Sequence, residues 1–352
     1  KKESFSHAET KMIKISSFDI FDTCLIRSCG TASAMHDILS TVVFHKPVSD
    51  DIRHGFIIAR TNAEIHDNLQ SIYNNLEFTH PHLLPTKELI EKELSIEDSL
   101  LNPVCSTLAL VNLCREKGHR ILFISDMYLP GSFLQEQLKK HGFWKDGDTL
   151  FVSNEVKKTK SSGELFKYIA NKENLLYKNW HHYGDNLKSD VRMPRKLGIK
   201  CTPIQTGYSL YQKKWMNNII CPQFQLGQTM AGLSRSIALS EESGPHNAIT
   251  LDIIAHLLVS FACRIINHAK TNGITHLYFL ARDSKTVFEI ANQITHTYSN
   301  IAVHYIYISR QALYDSPEES IITYFENVGI ATHTDSVAIV DMRTTGKTLK
   351  YM

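Results

Sequence analysis

Short apolar runs alternate with amphipathic segments from about residue 11 to residue 205 of the chain. Five of these runs have the length and the flanking residues that are typical of β-strands. They lie at residues 12–18, 120–125, 149–152, 180–183 and 200–203. The alternation predicts an α/β fold in which helices cover both faces of a parallel sheet. In such a sheet, ligands bind at the carboxyl ends of the strands.

About one hundred residues separate the first two predicted strands, and their apolar positions have helical spacing. Segments 59–76 and 86–97 each fit an amphipathic helix. No strand pattern interrupts them. We therefore predict that residues 28–105, approximately, form a helical lobe inserted after the first strand.

A second α/β region is predicted for residues 206–352, after a first domain at 11–205. A buried helix is expected near 250–270, and strands are expected at 276–280, 303–308 and 337–340. The last strand is followed by a glycine turn and the start of a further helix. Because a domain is not expected to stop there, the second domain is expected to be incomplete in this chain.

The composition is that of a soluble globular protein, with 43% hydrophobic and 21% charged residues. A net charge of +2 gives no electrostatic reason to expect nucleic-acid binding. The most apolar stretch, 249–266, contains Asp252, His256 and Arg264, so no membrane span is expected. Seven widely spaced cysteines without a CxxC pair favour reduced thiols. Together with the polar start, these features predict a cytoplasmic protein.

Two polar residues stand where predicted strands end. Asp19 follows the first strand, where a carboxylate can attack a phosphoryl group and form an aspartyl-phosphate. The alternative is a helix cap or a loop ion pair. Ser125 ends the second strand, where its hydroxyl could donate to a phosphoryl oxygen. Alternatively, it could cap the helix that is expected to start near Gly131.

Three charged residues further along the chain fit the same chemistry. Lys160 precedes a helix that is expected to begin near Gly163, and it could neutralise a nucleophile and a phosphate. Asp185 follows an apolar strand directly, and Asp190 comes five positions later. Carboxylate oxygens of this kind are what Mg2+ prefers. The alternative for these two acids is an Asx turn with a capping aspartate.

Taken in order, these motifs resemble those of the haloacid dehalogenase (HAD) superfamily over about residues 11–205. The resemblance implies a Rossmann-like core, a helical cap, Mg2+ as cofactor and a phosphorylated substrate. It implies that Asp19 is the nucleophile, Ser125 the phosphoryl-binding hydroxyl and Lys160 the charge-neutralising lysine. By the same resemblance, Asp19, Asp185 and Asp190 are metal ligands.

The chain departs from the family at Phe21. The family's phosphatases typically have a second aspartate there, which acts as general acid and base. The backbone carbonyl of Phe21 can still bind the metal, but its side chain cannot protonate a leaving group, a loss of about 10²–10⁴-fold. Asp22 could take over, although an adjacent residue on an extended segment should point elsewhere. Otherwise the substrate supplies a good leaving group, the acid comes from the cap, or the domain binds phosphate without turnover.

A glycine loop follows the last predicted strand, after Asp341. A P-loop is excluded because the motif requires glycine at position 341. The region of about 274–350 instead resembles type I phosphoribosyltransferases, whose acid contacts ribose and whose loop holds the 5-phosphate, although Val340 replaces the usual first acid. By that resemblance, Asp341 faces the ribose of phosphoribosyl pyrophosphate. The loop residues that would hold the phosphate are Thr344, Thr345, Gly346, Lys347 and Thr348.

The leading hypothesis is a Mg2+-dependent phosphatase that acts on a phosphorylated sugar or glycan. The two resemblances together imply removal of the 5-phosphate of a ribofuranosyl unit during surface-glycan synthesis. One alternative is a phosphoribosyl or glycosyl transferase whose HAD-like domain is auxiliary. Another is a non-catalytic interaction protein, which the substitution at Phe21 would suit.

Overall fold

The chain is described by a computed structural model over residues 14–63, 68–80, 82–217, 226–240, 249–298, 300–330 and 336–342. It divides into two compact units, residues 1–248 and 249–352. Each unit contains a parallel sheet of its own.

A five-stranded sheet in the order β5-β4-β1-β6-β7 forms the centre of the first unit, and every neighbouring pair of strands in it is parallel. Its strands are β1 (Ile15–Phe18), β4 (Arg120–Ser125), β5 (Thr149–Val152), β6 (Trp180–Gly184) and β7 (Lys200–Pro203). β1 is buried on both faces because it lies in the middle of the sheet. The predicted α/β class, with a Rossmann-like parallel sheet, is therefore confirmed for this unit.

Two short strands that the sequence did not predict lie between β1 and β4. β2 (Leu25–Arg27) and β3 (Leu101–Pro103) form an antiparallel ribbon. Three residues are too few to show a period of two, and the partners are remote in the chain, so the pattern gave no signal. The ribbon carries the chain into the helical insertion and back to the sheet.

Four helices occupy the insertion: α1 (Ala32–Ser40), α2 (Asp50–Asn62), α3 (Leu69–Thr79) and α4 (Thr86–Leu100). The prediction of one helix at 59–76 was wrong, because α2 ends at Asn62 and α3 begins at Leu69. Asn68 starts α3, and its side chain accepts a hydrogen bond from the backbone N–H of Ser71 at 2.9 Å. This N-cap separates two amphipathic segments whose apolar positions looked continuous.

A buried ion pair joins three of the insertion helices. The Arg60 guanidinium on α2 binds Glu93 on α4, with Nη2 at 2.5 Å and Nε at 3.0 Å from the carboxylate oxygens. Tyr73 on α3 donates its hydroxyl to the same carboxylate. The Arg60 guanidinium also lies 4.5 Å from the ring centroid of Tyr128, in the loop after β4. The insertion is thus linked to the sheet through a fully buried charge.

The remaining helices of the sheet region are short. They are α5 (Cys105–Glu116), α6 (Gly131–Lys140), α7 (Ser153–Val156), α8 (Glu164–Lys172), the 3-10 turn Tyr177–Asn179, the π-helical turn Leu187–Arg192 and α9 (Met193–Lys196). Two further helices follow β7, namely α10 (Leu210–Asn217) and α11 (Leu226–Ser240).

Helix α11 belongs to the first unit, whereas the sequence placed the domain boundary at residue 205. It lies against the loop after β2, where a Cβ at Gly232 would be 2.0 Å from the backbone N of Gly30. The approach is possible only because neither residue has a side chain. Because this contact joins two backbones and no apolar side chains, the hydrophobic pattern of the sequence does not predict it.

The second unit has a three-stranded parallel sheet in the order β10-β8-β9. Its elements are the π-helical turn Thr250–Ile254, α12 (Ala255–Thr271), β8 (His276–Leu280), α13 (Lys285–Tyr298), β9 (Ala302–Ile306), α14 (Arg310–Asp315), α15 (Glu318–Asn327) and β10 (Val337–Val340). The strands at 276–280 and 337–340 have the predicted bounds, and the one expected at 303–308 begins and ends earlier.

The helix expected near 250–270 is buried on one face only. Ala262, Ile266 and Ala269 are buried, whereas Ile254 and Leu257 are exposed. Among the described residues, the segment Thr250–Thr271 is long and apolar enough to cross a membrane, by length and composition alone, with a hydropathy of 1.5.

Candidate active site

Three aspartates meet at the carboxyl edge of the first sheet. Asp19 follows β1 directly, and Asp185 follows the neighbouring strand β6. Asp190 lies in the π-helical turn after β6. Each offers one carboxylate oxygen, and the three oxygens lie within 4.8 Å of one another. Hard oxygen ligands at this spacing could hold a divalent cation such as Mg2+.

Lys160 reaches the same place from the loop between α7 and α8. Its ammonium group contacts the Asp19 carboxylate and lies 2.6 Å from Oδ1 of Asp190. The backbone N–H of Lys160 donates to Asp126 at 2.8 Å, which anchors the loop beside the end of β4. The sequence offered three lysines here, and the structure buries Lys160 alone, with 2% exposure. Asp126 was not singled out from the sequence.

A series of buried hydrogen bonds, which begins at Trp180, holds the Asp190 carboxylate in place. The indole N–H of Trp180 donates to Oγ of Ser17 at 2.6 Å, and this Oγ lies 2.7 Å from Nδ1 of His182. Nε2 of His182 is 3.2 Å from Oδ1 of Asp190 and donates to it, since a carboxylate can only accept. Burial lowers the pKa of His182, so the imidazole is neutral. The histidine therefore orients the Asp190 carboxylate.

A single positively charged side chain, Lys160, faces the carboxyl groups of three aspartates in this cluster. Burial raises the pKa of Asp19, Lys160 opposes this, and the carboxylates of Asp190 and Asp185 raise it further. Burial alone would lower the pKa of Lys160, but Asp19 and Asp190 outweigh it and hold the ammonium charged. Burial would raise the pKa of Asp190, but Lys160 and His182 keep it below its usual range. The excess negative charge matches what a divalent cation would neutralise.

The protonation of Asp185 would make metal binding at this cluster dependent on pH. Burial, with the nearby Asp22 and Asp190 charges, raises the pKa of Asp185 to about 6. Since the unfolded value is lower, Asp185 binds more protons in the metal-free fold than in the unfolded chain, and its contribution to stability is lost as the pH rises through about 6. Mg2+ binds the deprotonated carboxylates, so its stabilising effect should grow over the same range.

We therefore expect saturating MgCl2 to raise the melting temperature by roughly 5–10 °C at about pH 7.5, corresponding to about 2.7 kcal/mol at 100 times Kd. Near pH 5 the increase should be much smaller, because Asp185 is then protonated. Differential scanning fluorimetry at matched ionic strength, with KCl as control, measures both values. An equal shift at the two pH values would contradict the expectation.

Gly184 provides the space that Asp190 needs. A Cβ at Gly184 would lie 2.6 Å from both Cβ and Cγ of Asp190. We expect Gly184→Ala to displace this carboxylate, to weaken Mg2+ binding about 10-fold or more, and to destabilise the fold by about 1–3 kcal/mol. Calorimetric titration with Mg2+ measures the first effect. Gly55→Ala is the matched control, because nothing lies within 4 Å of its added methyl group. Unchanged Mg2+ affinity in Gly184→Ala would contradict the packing argument.

Ser125 and Phe21 lie beside the cluster. Ser125 ends β4 with 2% exposure, and it does not cap α6, whose N-cap is Pro130. The Phe21 ring packs under Arg27, with its centroid 4.5 Å from the guanidinium carbon. Position 21 therefore carries no carboxylate that could act as a general acid.

Sequence reasoning missed several contacts of the loop after β1. Thr23 donates its hydroxyl to Oδ2 of Asp19 at 3.3 Å and lies 3.5 Å from Oδ1 of Asp185. Its place four residues after Asp19 was the available signal. Arg235 on α11 binds Asp22 at 2.5 Å, and no local pattern indicated this pairing.

The predicted site of the second unit is described only in part. Asp341 directly follows β10, and Ser284, before α13, is fully buried with its hydroxyl 3.5 Å from the carbonyl O of Val340. The predicted phosphate loop lies outside the described residues, namely Thr344, Thr345, Gly346, Lys347 and Thr348. The likeness to phosphoribosyltransferases stays a prediction.

No family model and no curated protein sequence matches the chain. Solved structures do resemble it. A HAD phosphatase from Thermococcus onnurineus is 19% identical with a TM-score of 0.41, over 55% of this chain and 87% of that one. A HAD family enzyme from Bacteroides thetaiotaomicron, in complex with magnesium and inorganic phosphate, is 15% identical with a TM-score of 0.40, over 56% and 97%. A HAD-hydrolase from Bacillus subtilis bound to magnesium is 14% identical with a TM-score of 0.39, over 56% and 89%. These similar structures are HAD-family phosphatases and hydrolases.

Proposed function

We propose that this protein is a Mg2+-dependent phosphatase of the HAD type that acts through an aspartyl-phosphate at Asp19. The observation that carries the proposal is the meeting of Asp19, Asp185 and Asp190 around the buried Lys160. These side chains come from three separate loops of one sheet edge. A structural ion pair needs one acid for one lysine, and the surplus of carboxylates fits a cation and a phosphoryl group.

The proposed mechanism gives each side chain a part. Lys160 binds Oδ1 of Asp19, and Oδ2, which accepts a hydrogen bond from Thr23, would attack phosphorus while the bond from phosphorus to the leaving oxygen breaks. Water would then hydrolyse the acyl phosphate and release inorganic phosphate. Lys160 also reduces the repulsion between this carboxylate and the incoming phosphate. Ser125, at the end of β4, would donate to a phosphoryl oxygen. A Mg2+ ion held by the three aspartates and the backbone carbonyl of Phe21 would supply positive charge to the phosphoryl oxygens.

Hydrolysis of p-nitrophenyl phosphate tests the proposal, because its leaving group needs no general acid. We expect turnover that requires MgCl2 and stops when EDTA is added. Alkyl phosphates should react more slowly by up to about 10²–10⁴-fold, since Phe21 cannot protonate an alkoxide. Turnover that is unaffected by EDTA contradicts the proposal, and absence of turnover with both substrate classes favours a non-catalytic interaction protein.

We further propose a phosphorylated sugar or glycan as substrate, with the 5-phosphate of a ribofuranosyl unit as the group removed. A cleft of about 900 Å3 next to Asp185 supports this, since a site of that size accommodates more than a phosphate. The described cysteines are free thiols, which suits the proposed cytoplasmic location. The proposed use of phosphoribosyl pyrophosphate rests on the motif at Asp341 alone.

A further inference from the structure

Most of the polar side chains that line the cleft beside Asp185 have no part in the proposed phosphoryl chemistry. Phe21 and Asp22 line it on the side of the nucleophile loop. Further lining residues come from the segment after β7 and from α11, which lie outside the five-stranded sheet. The polar side chains of the lining are Asp22, Arg27, Thr31, Asp185, Gln205, Thr206, Tyr208 and Arg235.

Asp22 reaches the cleft through a left-handed backbone conformation. Its φ is +56°, which aspartate tolerates better than most residues. The N–H of Asp22 donates to the carbonyl O of Leu25 at 2.8 Å, and the N–H of Leu25 donates to Ile20 at 2.8 Å. This tight turn breaks the strand alternation, which would have directed Asp22 away from the neighbouring site. The side chain of Asp22 is 46% exposed to solvent.

Arg235 holds the Asp22 carboxylate in place. Nη2 of Arg235 lies 2.5 Å from Oδ1 of Asp22, and Nε donates to the carbonyl O of Thr206 at 2.5 Å. The guanidinium carbon lies 4.6 Å from the ring centroid of Tyr208, whose hydroxyl donates to the carbonyl O of Gly30. Arg235 is only 5% exposed, so its guanidinium is held in a buried position by these contacts.

The charges in the cleft select against a second anion on the substrate. Arg235 is paired with Asp22, and Arg27 is paired with Glu97 at 2.7 Å. Asp185 adds a further carboxylate to the lining. The Asp22 carboxylate, in contrast, has acceptor capacity beyond the one bond to Arg235, since an ionised carboxylate accepts about four hydrogen bonds. This chemistry suits hydroxyl donors.

We propose that Asp22, positioned by Arg235, is the specificity residue that binds the hydroxyl groups of the substrate's leaving part. The inference rests on the proposed phosphatase function and adds a recognition element to it. The ligand class is a phosphate monoester of a neutral, polyhydroxylated alcohol, in which the phosphoryl group would lie at Asp19 and the hydroxylated part in the cleft. Helix α11 contributes to the first unit's site by supplying the positioning residue.

Binding in an Asp19→Asn background, where turnover is blocked, tests the inference. Calorimetry with MgCl2 measures the Kd of ribose 5-phosphate and of inorganic phosphate, before and after Asp22→Asn is added. We expect the affinity for ribose 5-phosphate to fall about 10-fold or more, because a hydrogen bond to a charged group is lost. The affinity for inorganic phosphate should change less than about 3-fold, because the phosphoryl site remains. An equal fall for both ligands, or no ribose 5-phosphate binding at the start, overturns the inference.

A second variant separates this role from a merely structural one. Gly232→Ala should displace α11 from Gly30 and withdraw Arg235, while Asp22 itself is retained. The same selective loss of ribose 5-phosphate affinity is expected, and an unchanged ratio of the two affinities counts against the positioning role. Asp146→Asn, at an exposed loop position, is the matched control for Asp22→Asn. Turnover of p-nitrophenyl phosphate by the unaltered protein reports separately on the proposed function.

Discussion

Asp19→Asn is expected to reduce Mg2+-dependent hydrolysis of p-nitrophenyl phosphate by on the order of 10³-fold or more. The amide is almost isosteric with the carboxylate but is a poor nucleophile, so no acyl phosphate forms. It also replaces one of the three carboxylates that face the cation site by a neutral amide, whose remaining oxygen can still face the cation. Stopped assays that quantify released phosphate at saturating MgCl2 measure the loss.

The same change should leave the metal-free fold intact or make it more stable. Because burial and the neighbouring carboxylates raise the pKa of Asp19, its ionised form opposes folding at neutral pH. Asparagine carries no charge, and Lys160 retains its contact with Asp190 at 2.6 Å. Unfolding in EDTA should therefore begin at the same or a higher temperature. Activity that survives Asp19→Asn, with Asp146→Asn as the matched control, refutes the assignment of the nucleophile.

Arg60→Ala is expected to lower the free energy of unfolding by about 3–5 kcal/mol, because it leaves Glu93 as an uncompensated buried charge. Both side chains of the pair are fully buried. Tyr73 still donates one hydrogen bond to Glu93, which cannot replace a guanidinium bound through two nitrogens. Urea titration followed by circular dichroism measures the change.

The pair itself, rather than either residue alone, should account for this loss. The double variant Arg60→Met/Glu93→Leu removes both charges and should recover much of the stability. Lys167→Ala breaks an exposed pair with Glu164, which lies at 2.9 Å, and should have no measurable effect. If the double variant is as unstable as Arg60→Ala, packing and not charge explains the loss.

The sheet could be predicted from the sequence because its strands are continuous apolar runs. β4, β5 and β7 have the bounds expected from the pattern, and β6 extends one residue further, to Gly184. Buried parallel strands need apolar residues on both faces, so the signal is local and strong. The ribbon of β2 and β3 has no such signal, since each strand gains its partner from across the insertion.

The candidate site divides in the same way. Asp19 and Asp185 follow apolar strands, so their meeting at one sheet edge was predictable from order along the chain. Lys160 could not be distinguished from Lys157 and Lys158 by composition. Only the bonds from its backbone N–H to Asp126 direct it into the cluster.

The amino-acid sequence by itself determined the class of fold and the acids that can bind a cation, because periodicity and strand-end position are local properties. The tertiary structure decided what surrounds those acids. The pairing of Arg235 with Asp22 spans most of the first unit, and it depends on the contact between Gly232 and Gly30 that no side-chain pattern records. Burial of Arg60 and Glu93 depends likewise on how three helices pack. Contacts of this kind arise from chain segments that are remote in sequence, and their free energy exists only once the segments are in place.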